Sequence, residues 1–312
     1  MSEFYHAPVL LEEVLTLIPH KRDGVYLDGT LGGGGHFRAI AGMLDENGTM
    51  IGLDRDSEAV AWTLDHPQPL LPRLIIEQSR FSEFDLVLKK HGIAAVDGIL
   101  LDLGVSSRQI DAPERGFSYM QSGVLDMRMD RQAIPAHELI RSVTIDELST
   151  ILREFGEVDR PGRIAAFIKK AGMRNSAMTT ADLREACAAA VDGPVPVALL
   201  AKIFQALRIA VNDELGELKR FLSKVLPILR TGGRLLVISY HSLEDRMVKE
   251  YMREHERICT CPPELPQCRC GRSPLFKRIT KRAVRPMAAE ITLNRRSRSA
   301  RLRGTERTGA SL

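Results

Sequence analysis

A short apolar run that ends in an acid and leads directly into a glycine-rich loop constrains the fold of this chain more than any other feature. Val25–Asp28 is followed by a Gly-Thr-Leu tripeptide and then by four consecutive glycines, Gly32–Gly35. Residues 36–44 have the composition of a helix. Strand, glycine loop and helix in this order are typical of open α/β folds, which bind ligands at the carboxyl ends of their strands.

The same alternation continues along the first third of the chain. Apolar runs at 49–54, 74–78 and 98–103 predict three more strands, and the helical patterns at 57–64 and 84–91 lie between them. These strands are nearly continuous apolar runs, as is typical of strands that are covered on both faces. The sequence therefore predicts a mostly parallel sheet in the α/β class.

A helical segment then interrupts the α/β pattern. Between about Arg115 and Lys202 the apolar spacing is helical, with predicted helices at 145–155, 163–171 and 180–191. Thr144 and Thr179 are predicted N-caps of two of them. One or two long helices are expected over 203–229, and a strand at 232–240 resumes the sheet. We therefore expect a discontinuous α/β domain, 1–113 and 206–312, with an all-helical domain, 114–205, inserted into it.

The cysteines and the N-terminus bear on the compartment. Residues 1–9 contain Glu3 and His6 and lack an apolar signal core, and no apolar run approaches the roughly 18 residues that span a bilayer. We expect a cytoplasmic protein without a membrane partner. Five cysteines argue against a disulfide framework. Four of them have C-x-C-x6-C-x-C spacing and leave structural zinc and free thiols both open, so no metal site is assigned; they are Cys259, Cys261, Cys268 and Cys270.

The net charge is only +4, but the positive charge is concentrated near the end of the chain. Between Lys277 and Arg303 stand ten lysines or arginines and a single acid, Glu290. Two interpretations stay open at this point: a surface that binds phosphates, or a solvated and partly disordered tail. Three arginines within it are candidate phosphate ligands: Arg295, Arg296 and Arg298.

Acids at the ends of three predicted strands indicate the kind of ligand. Asp28, Asp54 and Asp102 should meet at one edge of the sheet, and the acid that ends a second strand typically accepts hydrogen bonds from ribose. The glycine loop does not fit the dinucleotide fingerprint G-x-G-x-x-G, and the chain has no P-loop. An acid directly before the loop suits a cationic ligand better than a pyrophosphate. S-adenosylmethionine, which carries a sulfonium and an ammonium group, matches these requirements, whereas the alternative is a loop that only turns the chain.

At this point the sequence resembles a known family. Its motifs are similar, in the same order along almost the whole chain, to those of the bacterial ribosomal RNA small-subunit methyltransferase H (MraW) family. They are His6–Leu11, Asp28–His36, Asp97–Ser107, Arg115–Ser118, Leu125–Asp130, Phe204–Ile209, Val237–Arg246 and Asn294–Ala300. One departure is Phe37, which stands where a small hydroxyl residue is expected and is predicted to face the helix packing.

The resemblance implies a class I (Rossmann-like) methyltransferase fold in which the inserted helical domain recognises the substrate. It implies methylation of a cytosine N4 in 16S ribosomal RNA, at the decoding centre of the 30S subunit, with S-adenosylmethionine as methyl donor. The family's cofactor contacts fall on Gly34, Gly35, His36, Asp54, Phe81, Asp102 and Gln109, to which the residue argument adds Asp28. Phe81, after the third strand, is expected near the adenine.

Cytosine N4 is a poor nucleophile because its lone pair is delocalised into the ring, so an acceptor for its N–H is needed. Asp102 is the first candidate. The [DNS]-P-P-[YFW] motif of many amino-methyltransferases is missing at Asp102-Leu103-Gly104-Val105. We therefore expect Ser106, Ser107 and the segment from Asp126 to Arg128 to help hold the base. His241, directly after a strand, either contacts the substrate or caps the next helix.

Two other functions compete with RNA methylation. A DNA amino-methyltransferase would share the cofactor site, but the missing Pro-Pro motif weighs against it. A non-catalytic RNA-binding assembly factor would keep the fold, but the intact acids and glycine loop weigh against that. The sequence leaves open whether free 16S RNA or the assembled subunit is the substrate, and it allows a homodimer.

Overall fold

The computed structural model describes residues 8–191, 193–257 and 273–311. It divides into two compact units. The sheet unit comprises Met1–Gly104 and Gly216–Leu312, and the helical unit comprises Val105–Leu215. His6 of the opening motif and the four clustered cysteines lie outside the described residues.

A seven-stranded sheet forms the centre of the sheet unit. Its strands are β1 (Val25–Asp28), β2 (Thr49–Asp54), β3 (Arg73–Gln78), β4 (Val96–Asp102), β5 (Leu229–Ser239), β6 (Phe276–Arg278) and β7 (Arg301–Arg307). They lie in the order β3-β2-β1-β4-β5-β7-β6. All pairs from β3 to β5 are parallel, whereas β7 is antiparallel to both β5 and β6. The predicted α/β class with a mostly parallel sheet is therefore confirmed.

The helices follow the chain in this order: α1 (Leu11–Leu17), α2 (Gly35–Ala41), α3 (Ser57–Asp65), α4 (Phe84–Lys90), α5 (Ser107–Asp111), α6 (Ala136–Ser142), α7 (Ile145–Gly156), α8 (Pro161–Arg174), α9 (Thr180–Val191), α10 (Val197–Asn212), α11 (Glu214–Ile228), α12 (Ser242–Glu256) and α13 (Ala288–Leu293). Short 3-10 turns cover Phe81–Glu83, Pro113–Arg115 and Arg295–Ser299. The described part of the chain contains no helix long and apolar enough to cross a membrane.

Alternating residues of the central strands belong to two separate hydrophobic clusters, because successive side chains of a strand point to opposite faces. Leu27 and Ile99 pack in the cluster that contains Phe221 of α11. Tyr26 and Leu100 pack in the other cluster. The sheet is thus covered on both faces, as the continuous apolar runs predicted. Phe37 is buried in the second cluster, which confirms that it faces the packing of its helix.

The basic end of the chain was predicted to be either a phosphate-binding surface or a solvated and partly disordered tail, and part of it lies in the sheet. Residues 301–307 form β7, which pairs with β5 over six residue pairs, and Leu302 and Thr305 are completely buried. A solvated or disordered tail is therefore wrong for this stretch. Two of its arginines share one carboxylate, because Asp245 of α12 accepts hydrogen bonds from both Arg301 and Arg303.

The helical unit has its own core, formed by buried residues of α6 to α10. Thr144 caps α7 in a reciprocal capping box with Glu147, and Thr179 Oγ1 accepts from the backbone N–H of Asp182, so both predicted N-caps are confirmed. The predicted long helical stretch is two helices, α10 and α11, separated at Asp213, whose φ is 49°. The unit begins and ends about ten residues outside the expected bounds of 114–205, because α10 belongs to its core through Ile203, Phe204 and Leu207.

Candidate cofactor and active site

Three acids stand at the carboxyl ends of neighbouring strands in the sheet unit. Strand β1 lies between β2 and β4, with Asp28 opposite Gly52 on one side and Leu100 on the other. Asp54 and Asp102 end these two neighbours. After β1 the chain builds the sheet outward through β2 and β3, and then returns to place β4 on the other side of β1. This reversal is the place where open α/β sheets bind ligands.

The glycine loop is packed closely against the ends of these strands. A side chain at Gly29 would lie 2.5 Å from Leu101 and 3.1 Å from Phe81, so the backbone reaches this position only as glycine. Gly34 has a φ of +75° and precedes α2, a left-handed conformation that glycine adopts without strain. Gly35 begins α2, and a side chain there would meet Pro8 at 3.0 Å. The loop therefore presents bare backbone at the start of the helix.

Asp54 is tied to the glycine loop through one carboxylate oxygen. Its Oδ2 accepts from the backbone N–H of Gly32 at 2.8 Å, and its Oδ1 accepts from that of Asp56 at 2.8 Å. Burial raises the pKa of Asp54 to about 6 against these two hydrogen bonds. A carboxylate oxygen accepts more than one hydrogen bond, so the group can still receive hydroxyl donors.

Asp28 is almost completely buried, with 1% of its surface exposed. Its Oδ1 accepts from the backbone N–H of Thr30 at 3.0 Å. Burial raises the pKa of Asp28 to about 6, and the negative charges of Asp102 and Asp54 add to the increase, whereas His36 and the Thr30 hydrogen bond oppose it. Asp28 therefore lies within electrostatic range of both other acids, as its place between their strands requires.

Asp102 is held from two directions. Its backbone N–H donates to Thr30 Oγ1 at 2.6 Å, and its Oδ1 accepts from the hydroxyl of Tyr240 at 2.8 Å. Its Oδ2 lies 3.7 Å from His36 Nδ1. Burial raises the pKa of Asp102 to about 7, the Tyr240 hydrogen bond opposes this, and the charge of Glu244 adds to it. Tyr240 thus holds Oδ1, and Oδ2 is the oxygen that lies towards His36.

The tautomer of His36 follows from its second nitrogen. Nε2 lies 2.9 Å from the carbonyl oxygen of Val9, which can only accept, so Nε2 carries the proton. Burial is the largest cause that lowers the pKa of His36, which favours the neutral ring. Nδ1 then presents a lone pair towards Asp102 rather than a proton. His36 Nδ1 and Asp102 Oδ2 are therefore two hydrogen-bond acceptors that lie 3.7 Å apart.

Phe81 lies against the glycine loop, as its predicted place after the third strand requires. Its ring meets that of Phe221 edge-on at 5.8 Å. The neighbouring Arg80 and Ser82 both donate to the buried carboxylate of Glu217 on α11. Phe81 is therefore mounted on a firmly anchored turn beside the loop.

The candidate residues of the helical unit make contacts with one another. Ser106 Oγ accepts from the backbone N–H of Gln109, while Gln109 Oε1 accepts from that of Ser106, which closes a capping box on α5. Asp126 receives both forks of Arg128, at 2.7 and 2.8 Å. These pairings stabilise local turns. They give no sign of the expected role in holding a base, which stays a prediction.

Of the two roles open to His241, its contacts favour capping. Its Nδ1 accepts from the backbone N–H of Glu244 at the start of α12, and its Nε2 lies 3.2 Å from Glu244 Oε1. Both ring nitrogens therefore face the first turn of their own helix.

Two residues of the site were not recognised in the sequence, namely Thr30 and Tyr240. Thr30 links Asp28 to the backbone of Asp102, and Tyr240 fixes the Asp102 carboxylate. Tyr240 directly follows the apolar run of β5, and Asp102 closes the apolar run of the neighbouring strand β4. A polar tip at the end of a neighbouring strand is the signal that could have found it.

The arrangement suits a ligand with positive charge. Three carboxylates with raised pKa values stand at neighbouring strand ends, and a cation beside them would stabilise their ionised forms. The glycine loop admits a ligand close to its backbone, and Phe81 lies beside the loop. These features fit a cationic nucleoside such as S-adenosylmethionine.

Comparisons with known proteins agree with this chemistry. The model of the MraW methylase family matches residues 3–308. A ribosomal RNA small subunit methyltransferase H from Symbiobacterium thermophilum is 43% identical over 307 residues, which cover 96% of each chain. The protein of the same name from Geotalea uraniireducens is 43% identical over 311 residues, 98% of this chain and 100% of the relative.

Among solved structures, an rRNA methylase from Streptococcus thermophilus aligns over 96% of this chain and 92% of its own, with a TM-score of 0.40 and 12% sequence identity. Overlap at that level adds nothing to the family match.

Proposed function

This chain belongs to the MraW methylase family, a family of methyltransferases, and from that premise we propose that it transfers the methyl group of S-adenosylmethionine to the N4 amino group of a cytosine in 16S ribosomal RNA, at the decoding centre. The observation that carries the proposal is the crevice of Asp28, Asp54 and Asp102 beside the glycine loop. The names of the relatives support the choice of ribosomal RNA.

The residues of the sheet unit divide the work of binding the cofactor. Asp54 accepts hydrogen bonds from the ribose hydroxyls, and the backbone at Gly34, Gly35 and His36 lets the ligand approach closely. Asp28, Asp54 and Asp102 together stabilise its positive charge. Phe81 packs beside the adenine. When bound, S-adenosylmethionine supplies an electrophilic methyl group.

Asp102 is the proton acceptor in this proposal. Its Oδ2 accepts an N–H of the cytosine amine, which concentrates the lone pair on nitrogen. It then takes the proton that the amine loses as the nitrogen–carbon bond forms. A pKa of about 7 suits a general base at neutral pH, because about half of the carboxylate is ionised there and it is basic enough to take a proton.

Tyr240 and His36 set the direction of that proton transfer. Tyr240 occupies Oδ1 with a hydrogen bond, so the substrate meets Oδ2. His36 Nδ1, 3.7 Å from Oδ2, presents a lone pair and donates no hydrogen bond to that oxygen, which leaves Oδ2 to the substrate. Both are positioning groups in this account.

The helical unit contributes substrate recognition in this proposal, with Ser106, Asp126 and Arg128 as its candidate residues, and its Gln109 is a further cofactor contact. A catalytic role for His241 is the weakest part of the assignment, since its ring caps α12. We place the reaction in the cytoplasm, on free 16S RNA or on the 30S subunit, and the account allows a homodimer.

A tritium-transfer assay separates the proposal from its rivals. The protein is incubated with methyl-labelled cofactor and, in parallel, with unmethylated 30S subunits, free 16S RNA or DNA. Label in either RNA sample supports the proposal. Label in DNA alone identifies a DNA amino-methyltransferase, and RNA binding without label in any sample identifies a non-catalytic assembly factor.

A further inference from the structure

A single row of paired residues connects the reactive acid to the basic end of the chain. Asp102 lies opposite Ile238 in β5, Ile238 lies opposite Leu302 in β7, and Leu302 is bridged to Val284. Neighbouring strands are about 4.8 Å apart, so Val284 lies roughly 15 Å from Asp102 along this row. Residues that flank the far end of the row therefore border the same edge of the sheet as the acid crevice.

Four exposed arginines flank that end. Arg282 and Arg285 stand on either side of Val284, and Arg295 and Arg298 lie in the turn that leads into β7. We call these four arginines the basic rim. No described residue supplies any of them with a carboxylate partner. By contrast, Arg301 and Arg303, only a few residues further on, are both bound to Asp245.

The rim is mounted on an ordered support. Ser297, between two rim arginines, is completely buried, and Asn294 caps the turn by accepting from the backbone N–H of Arg296. The preceding helix is attached to the start of α1, since Glu290 of α13 accepts from the backbone N–H of Leu10. That contact also occupies the single acid between Lys277 and Arg303. Four guanidinium groups thus stand on an ordered support, and no carboxylate of the described residues is paired with them.

We propose that the basic rim binds backbone phosphates of the RNA strand whose target base is held at Asp102. Guanidinium groups bind phosphate through paired hydrogen bonds, and arginine is the residue best suited to that geometry. At roughly 15 Å the rim contacts phosphates a few nucleotides away from the methylated base. Such contacts fix the register of the strand without reading its sequence. This inference rests on the proposed RNA substrate and specifies the surface that receives it.

The chain supplies a matched control for charge alone. Lys277 is also exposed and basic, but it lies in β6 opposite Glu306 of β7. Glu306 pairs with Arg234 of β5, whereas the site edge of the same ladder is at Ser239 and Arg301. Lys277 is therefore at the half of the sheet remote from Asp102. Removing its charge changes the net charge of the protein without touching the rim.

The test compares Arg285→Gln, Arg298→Gln and the double variant with Lys277→Gln, all as full-length proteins, so that each single rim variant removes the same charge as the control. Binding of fluorescently labelled 16S RNA fragments is measured by polarisation at several salt concentrations, and cofactor binding is measured separately by calorimetry. We expect the double rim variant to bind RNA on the order of tenfold more weakly. The slope of log K against log salt should become shallower by about 0.7 for each phosphate that the variant no longer neutralises. Cofactor affinity and the thermal midpoint should stay at the wild-type values.

Equal weakening by Lys277→Gln would contradict the inference, because it would reduce the effect to general attraction. Wild-type RNA affinity and salt slope in the double variant would contradict it as well. RNA binding is measured here without turnover, so failure of the proposed methyl transfer would appear separately, as wild-type protein that binds RNA and transfers no label.

Discussion

The hydroxyl of Tyr240 donates a hydrogen bond to Oδ1 of Asp102 across 2.8 Å and thereby joins the carboxyl ends of β4 and β5. The other carboxylate oxygen, Oδ2, is 3.7 Å from His36 Nδ1. A carboxylate held at one oxygen can accept a donor at the other in only a narrow range of directions. The proposed general base is therefore oriented by the fold before any substrate arrives.

Replacing Tyr240 by phenylalanine should slow methyl transfer. The Tyr240 hydrogen bond lowers the pKa of Asp102 against burial, so its loss should raise that pKa above about 7 and leave less carboxylate at neutral pH. We expect kcat to fall about tenfold at pH 7, as loss of orientation and basicity combine, and the acid limb of the pH–rate profile to move to higher pH. Cofactor Kd should hardly change.

Tyr251→Phe is the matched control for that variant. The Tyr251 hydroxyl is buried and, within the described residues, has no hydrogen-bond partner. If Tyr251→Phe shifts the pH–rate profile as far as Tyr240→Phe does, the Tyr240 effect is general and the positioning role is lost.

Asp102→Asn should stabilise the folded protein in a pH-dependent way. The folded-state pKa of Asp102 is about 7, above its usual value of 3.8. The folded state therefore binds a proton more tightly than the unfolded state. The stability that this proton contributes is complete below pH 4 and is lost as pH rises towards 7. An amide does not titrate, so near pH 8 the variant should exceed the wild type by on the order of 4 kcal/mol. Near pH 4 the difference should vanish.

Chemical denaturation of both proteins across that pH range measures this difference directly. A gain that is the same at pH 4 and pH 8 would mean that Asp102 is not a buried, titrating carboxylate. Methyl transfer by the same variant should fall by about a hundredfold or more if Asp102 is the general base.

Gly34→Ala should weaken both stability and cofactor binding. The left-handed backbone at Gly34 strains any other residue by roughly 1–2 kcal/mol, and the new methyl group would lie 2.9 Å from Arg38 Nη1. We expect the loop to shift and the cofactor Kd to rise by about tenfold, since close backbone approach is lost.

Gly92→Ala separates strain from function. Gly92 is also left-handed, with a φ of +69°, and a side chain there would meet nothing within 4 Å. Gly92→Ala should lower the free energy of unfolding by about as much as Gly34→Ala does and leave the cofactor Kd unchanged. Thermal denaturation and calorimetry measure these two quantities. Equal losses of affinity in both variants would show that the glycine loop has no special part in binding.

The strands that end in acids were predictable because the pattern that defines them lies within the strand itself. An uninterrupted apolar run closed by a carboxylate defines β1 and β2 with the bounds that the structure shows. Strand β7 was not predicted, since Arg301 and Arg303 mask its alternation, and their shared partner Asp245 is brought to them only by the tertiary fold. The partner of β7 is β5, more than sixty residues earlier, a pairing that no local pattern contains.

The site was partly predictable for the same reason. Strand order places Asp28, Asp54 and Asp102 together, and that order follows from the α/β alternation. The direction in which the Tyr240 side chain points does not follow from spacing. Nor does the bidentate pairing of Asp126 with Arg128, two residues away, follow from spacing.

If the carboxylates of Asp28, Asp54 and Asp102 receive a cationic nucleoside, protons must leave them when it binds, and one titration tests this. S-adenosylmethionine is titrated calorimetrically at pH 6 in buffers of different ionisation enthalpy, which reports protons exchanged on binding. Asp28 and Asp54 are near half-protonated there, so binding should release about one proton or more, and affinity should fall as pH drops below 6. Binding without heat, or heat without proton release, would contradict the account.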